Sequence, residues 1–299
     1  MKQNLRKKAL VPAISMVLAS VIALSGVTYA WFTTGNTASV TGLDVNVQTA
    51  NGIQISLDAN SWRSVITADD VIATSGKDNV LIQYPLGEIA PVSSAGKVTD
   101  GKLEMFYGEY NKDGTLRSEQ EVEQNRTSGG NFVAFDLYFK SSMDQTLTLN
   151  MGDEQSFVKG TAALGGSATV GTEKAVRVAF LPMGSSSSPA GARALKGDGK
   201  CLIWEPNAST RADGVEAESG KLAYKGFKTN FEGVLESALS DDEVAAVETF
   251  TTAQDFELEN GINKIRVYIW LEGQDVDCIN NISFGDFTTN LSFSVPEAE

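Results

Sequence analysis

The chain contains no histidine. That removes the usual general base and the commonest metal ligand together. Ser-His-Asp triads, Cys-His dyads and HExxH zinc sites are all excluded. Acid–base chemistry would fall to carboxylates, lysine or tyrosine. A carboxylate pair can hydrolyse a glycoside, but among 38 acidic residues a pair somewhere is guaranteed and uninformative. Cysteine is nearly missing: only Cys201 and Cys278 occur, with 76 residues between them. In an exported chain such a pair suggests one disulfide, with roughly 4 kcal/mol of stabilisation from loop closure. The alternative is two buried thiols. Positive charge is scarce, with 24 basic residues against 38 acidic ones and a net charge of −14 over 299 residues. Four of the basic residues (Lys2, Arg6, Lys7, Lys8) lie in the acid-free first 30 positions. The remainder has 20 basic against 38 acidic residues, a net −18. Such a surface is soluble and repels nucleic acid and anionic lipid, so no nucleic-acid partner is expected.

Long apolar runs are also rare, and the one present is informative. Ala9 to Val27 is apolar or small throughout, behind the basic start. Thr28-Tyr29-Ala30 follows, with Ala30 suited to the last position before a signal-peptidase cut. This layout is that of a secretory signal helix, residues 1–30. The competing reading is an uncleaved anchor, since 19 residues nearly span a bilayer. On the first reading the partners include a signal peptidase, and membrane contact occurs only through the uncleaved leader.

The stretch "SGVTYAWFTTGNTASVTGLDVNV", residues 25–47, resembles the start of the TasA and camelysin family of exported Gram-positive proteins. The matching positions are Gly26, Thr28, Tyr29, Ala30, Phe32, Gly42, Leu43 and Asp44; Val27 and Trp31 depart from the family pattern. The resemblance implies cleavage by a SipW-type peptidase and a place in extracellular fibres of a biofilm matrix. It further implies that the freed N-terminal segment pairs as a donor strand with the next subunit. Here that strand would carry Phe32, Val40, Leu43, Val45 and Val47. The plainer alternative is that residues 40–47 complete the sheet of their own domain. The metallopeptidase label attached to camelysins does not carry over, because no histidine is available.

Beyond the leader the chain reads as strands. Leu43, Val45 and Val47 alternate with polar residues, and Ile53, Ile55 and Leu57 do so after Asn51-Gly52, which predicts a hairpin. A second hairpin is predicted over 103–122 around Asp113-Gly114. Val133, Phe135, Leu137 and Phe139 share one face, against Asp136 and Lys140. Ile265, Val267, Ile269 and Leu271 oppose Arg266, Tyr268, Trp270 and Glu272. About nine such strands predict a mainly β fold. It would be a single antiparallel, jelly-roll-like sandwich over 31–299 with a few short helices. Thr67 with Asp70, and Ser240 with Glu243, have capping-box spacing. "GSSSSPAGARALKGDG", residues 184–199, is flexible in composition and reads as a long surface loop, or else a domain separator.

Few residues suggest chemistry. "NKDGTL" (111–116) lacks the later ligands of a calcium loop and reads as a turn. Glu272, Asp275 and Asp277 read as a solvated loop more readily than as a cation site. Trp62, Trp204 and Trp270 could line a sugar platform, and Trp270, opposite the apolar face of its strand, is the best placed. With no catalytic group, cofactor or metal site in view, the expected role is non-enzymatic: a secreted fibre or matrix subunit whose partner is itself or another matrix protein. The alternatives are a cell-surface adhesin or carbohydrate-binding module using Trp204 and Trp270, and an envelope protein anchored by its leader.

Overall fold

The computed structural model of the chain describes residues 37–48, 53–77, 80–94, 96–110, 116–123, 127, 129–161, 171–197, 201–207, 248–273, 275, 278 and 285–295. Ala30, Phe32, the Asp113-Gly114 turn, Asp277 and the Ser240 capping box lie outside them. The first strands are β1 (Ala38–Gln48), β2 (Gln54–Ser56), β3 (Val65–Thr67), β4 (Ile82–Gln83), β5 (Glu88–Ile89) and β6 (Val98–Thr99). Next come β7 (Lys102–Leu103), β8 (Met105–Tyr110), β9 (Leu116–Glu121), β10 (Phe132–Ser141), β11 (Gln145–Leu149) and β12 (Phe157–Thr161). The last are β13 (Val176–Ser186), β14 (Leu202–Trp204), β15 (Glu248–Phe250), β16 (Gln254–Leu258), β17 (Gly261–Leu271) and β18 (Gly285–Ser294). Two short helices join them, α1 (Ala68–Thr74) and α2 (Pro189–Ala194).

Fourteen of the eighteen described strands form two seven-stranded sheets, and β6 with β7 and β8 with β9 form two-stranded sheets of their own. The first runs β16-β11-β18-β1-β3, with β12 added on β18 and β5 on β1. The second runs β15-β14-β13-β17-β10-β2, with β4 added on β10. Their apolar faces meet, as period-two alternation requires. Val133, Phe135, Leu137 and Phe139 of β10 and Ile265, Val267, Ile269 and Leu271 of β17 pack against Leu43, Val45, Leu291 and Phe293 of the first sheet. The rings of Phe139 and Phe293 meet edge to face at 5.2 Å across the layers, and Phe180 meets Phe256 at 5.5 Å. The result is the mainly β sandwich that the alternation predicts.

Three local expectations need correction. The hairpin around Asn51-Gly52 does not form. β1 pairs in parallel with β18 over ten residues, and β2 belongs to the other sheet, against β10. The groove between the sheets takes Leu43, Val45 and Val47 against β18, which outweighs a local turn signal. Not every pairing is antiparallel, because β14 and β15 also run parallel. Residues 184–194 are no loose loop. β13 continues to Ser186 through a bulge where the register against β17 shifts between Pro182 and Ser185. Gly184 takes φ 87° there, and the bulge is what lets Pro182 sit in an internal strand. Ser188 then caps α2 by accepting from Gly191 N at 3.1 Å, with Pro189 at the first turn.

Other expectations hold. β8 and β9 form the second hairpin, Met105 opposite Glu121 and Tyr110 opposite Leu116. Thr67 caps α1 reciprocally: Asp70 N donates to Thr67 Oγ1 at 3.4 Å and Thr67 N donates to Asp70 Oδ2 at 3.0 Å.

Candidate functional site

The outer face of the second sheet is where sequence and structure diverge most. Trp270 is fully buried there, under Val92, Leu103, Met105 and Phe106. Its Nε1 donates to Glu272 Oε2 at 3.0 Å, and Ser93 Oγ donates to the other carboxylate oxygen. Trp204 is also buried, on the inner side, within the central core. The aromatic platform expected from Trp204 and Trp270 is therefore absent. Val92 and the stretch 103–106 fold over Trp270, and Trp204 points between the sheets. Glu272 and Asp275 form no solvated loop either; both are buried, and Asp275 accepts from Arg177 Nη2. Neighbouring carboxylates hold that guanidinium's pKa above its ordinary value against the opposing effect of burial.

The cysteines are buried as thiols in different clusters, Cys201 under the outer cover and Cys278 in the central core. The expected disulfide is not formed, because a sheet separates the two clusters. Burial pushes the Cys201 thiol up to about 12, so it is inert rather than reactive.

Of the candidate assembly strand, Val40 is half-buried, and Leu43, Val45 and Val47 are buried in β1. They complete the protein's own first sheet, the plainer of the two expected arrangements.

A second buried network crosses the outer face. Arg266 Nη1 donates to Asp136 Oδ1 at 2.6 Å, its Nη2 donates to Glu123, and Lys264 reaches Asp136 Oδ2 at 3.1 Å. Lys264 Nζ also donates to Arg193 O in α2 and to Leu195 O just after it. These pairs fasten the covering pieces to the sheet. They are buried and mutually satisfied, which suits a structural role.

The open feature is at one end of the same face, past the edge of α2. A cleft of about 480 Å³ is lined by Trp62, Gln54, Lys140, Ser142, Ser187 and Asn260, with Ile262 and Gly261 beneath. It is built from one cross-strand row, because Lys140 lies between Gln54 of β2 and Ile262 of β17. Gly261 has φ 132°, and a Cβ there would come within 2.9 Å of Ser186 O, so glycine lets β13 close the cleft wall. Trp62 is half-buried, and the Lys140 ammonium stands 5.8 Å from its ring centre. Sequence reasoning named Trp62 only as one of three aromatics. It missed Gln54, Ser187 and Asn260, which carry no local signal and meet only through sheet register.

Among the described residues no group of three or more acidic or cysteine side chains could hold a metal, and no helix is long and apolar enough to cross a membrane. Fold and cleft together define a mainly β sandwich with an aromatic-edged polar groove at the uncovered end of its outer face. No family model, curated protein or solved structure matches the chain.

Proposed function

We propose that the protein is an exported structural subunit that works by contact, assembling into an extracellular fibre or matrix on the cell surface through its first strand. The leader would be cut at Ala30 by a signal peptidase, leaving Phe32 near the new end. Its partner is another copy of itself or a fellow matrix protein, and no catalytic group or cofactor is assigned to it.

One observation carries this reading. β1 is joined to the sandwich by a parallel ladder to β18 and by Leu43, Val45 and Val47 in the inter-sheet groove. A ladder and a groove of that kind accept the same strand from a neighbour as readily as from the chain's own end. Head-to-tail exchange is heterologous and need not close, so it yields filaments. The pairing of β1 within its own sheet is then the monomeric form of an exchangeable contact. The adhesin alternative loses the aromatic pair it rested on, since Trp204 and Trp270 are buried.

The test is electron microscopy of purified protein starting at residue 31, beside protein starting at residue 48. Filaments from the longer chain alone are expected. The shorter chain, lacking β1, should bind an added peptide of residues 38–48, and that peptide should block filament growth. Monomers from the longer chain at every concentration would overturn the proposal.

A further inference from the structure

We propose that the cleft beside Trp62 binds an anionic sugar residue, a uronate or similarly carboxylated pyranose of an acidic polysaccharide. Three observations converge on it. The first is shape and size: about 480 Å³ lies within the range of roughly 300–1,000 Å³ that small-ligand sites occupy. The second is charge. In a chain of net charge −14, the lining holds one ammonium, Lys140, and no carboxylate. Lys140 is exposed and forms no ion pair with a described residue; its ammonium stands over the Trp62 ring. An acidic protein that keeps its carboxylates away from a cleft with a lysine leaves a place for a negative group.

The third is the set of neutral partners. Gln54, Ser142, Ser187 and Asn260 are all exposed and bring amides and hydroxyls to the rim. These donate and accept in the way that vicinal sugar hydroxyls require. The indole of Trp62 offers an apolar face against which the C–H side of a pyranose packs, with its own N–H as a polar handle. A nucleotide or phosphate would call for more positive charge than one lysine supplies. A neutral sugar would leave Lys140 without a task.

The Trp62 side chain is also preorganised, which lowers the cost of binding. On its N-terminal side, Asp58 Oδ1 accepts from Asn60 N at 2.8 Å and Ser61 N at 2.7 Å, fixing a tight turn. On its C-terminal side, Arg63 and Ile55 exchange backbone hydrogen bonds at 2.9 and 2.8 Å. One part of the ring rests on the small cluster of Ala59, Tyr138, Ala192 and Ile262. A ligand therefore meets a fixed aromatic wall rather than a mobile side chain.

The experiment is a titration of the protein starting at residue 31, followed by calorimetry and tryptophan fluorescence. The probes are a glucuronate-containing oligosaccharide and a neutral glucose oligosaccharide of equal length. The acidic probe should bind more tightly, and its affinity should fall as salt is raised. Lys140→Gln should erase the preference for the acidic probe while leaving the thermal midpoint unchanged. Trp62→Ala should weaken binding by about tenfold, the loss of one stacking contact. Trp62→Phe should restore much of it, which guards against a simple folding defect. Equal affinity for both probes, no binding of either at millimolar concentration, or binding indifferent to Lys140 and Trp62 would each overturn the proposal. The titration is run below the concentration at which filaments form, so its failure leaves the assembly reading untouched, and the reverse.

Discussion

The two faces of the second sheet use the same strands in opposite ways. The inner face of β10 and β17 is apolar from Val133 to Phe139 and from Ile265 to Leu271, and meets the first sheet through Phe139, Phe135, Val267 and Leu271. The outer face of the same strands buries Asp136, Lys264 and Arg266 beside Tyr138, Tyr268 and Trp270. One side is held by shape, the other by paired charge under a cover. The difference shows that polarity in a strand reports what a face can bind, and not whether water reaches it. A buried guanidinium costs several kcal/mol to desolvate, so Arg266 is tolerable only with Asp136 and Glu123 in place. Burial pushes the Tyr268 hydroxyl well above its usual range, and it stays a neutral donor within that network.

The sharpest way to break the inner face is Phe139→Ala. The ring fills space against Phe293, and the cavity left should cost about 3–5 kcal/mol, a large share of a typical folding free energy of about 5–15 kcal/mol. Urea denaturation measures it. A loss below about 1 kcal/mol would mean that the two sheets are not packed as described.

On the outer face Arg266→Met should cost nearly as much, about 3–5 kcal/mol, for a different reason: it takes the closest cation from the buried Glu123 carboxylate and leaves Asp136 with Lys264 alone. The comparison sharpens in a double-mutant cycle. Arg266→Met combined with Glu123→Gln should be non-additive by about 0.5–3 kcal/mol, because the two touch. Phe139→Ala combined with Glu123→Gln should add within about 0.5 kcal/mol, because the two share no partner across the sheet. Coupling in the second pair would show that the faces are one unit.

That contrast also explains how much was legible beforehand. The inner face was, because Val133, Phe135, Leu137 and Phe139 alternate without a break, and so do Ile265 to Leu271. The cover was not. Val92, Leu103 and Met105 are scattered through a polar segment, so nothing marked it as a lid over Trp270. The pairing of β1 with β18 joins residues 246 or 247 positions apart, where a turn motif has no say. The serine-rich stretch was misread by composition alone: Ser188 caps a helix that Lys264 anchors from below. The cleft was half-legible. Trp62 was named only beside Trp204 and Trp270, and its companions come from separate elements brought together by register.

Smaller effects test the polar devices at the rim of each layer. α1 lays Val71 into the inner core and is held by the Thr67 capping box. Thr67→Ala should cost about 1 kcal/mol in thermal or urea unfolding, because Asp70 N loses its acceptor and the Asp70 carboxylate loses one of its three donors. Thr67→Ser should recover most of it. A cost as large as that of Arg266→Met would place the cap inside the buried network rather than at its edge.

The smallest predicted effect lies at the uncovered end of the outer face and reads out in acid. Burial pushes the Asp58 carboxyl up, but N–H groups of Ser61 and Asn60 with the hydroxyls of Ser56 and Ser61 prevail and hold it at about 2. A carboxyl lowered in the folded state stabilises fully above its unfolded value of about 3.9 and progressively less as pH falls toward about 2. The normal protein should therefore lose stability between about pH 4 and pH 2 more steeply than Asp58→Asn, which has no such proton to take up. Because the carboxylate is only half-buried, the difference should be modest and shrink with salt. The turn it ties carries Trp62, so the same acid titration, followed by tryptophan fluorescence, should show the indole moving as Asp58 protonates. Identical acid slopes for the two proteins would mean that the cleft wall is held by packing on Ile262 and Ala192, making this end of the outer face a smaller version of the inner one.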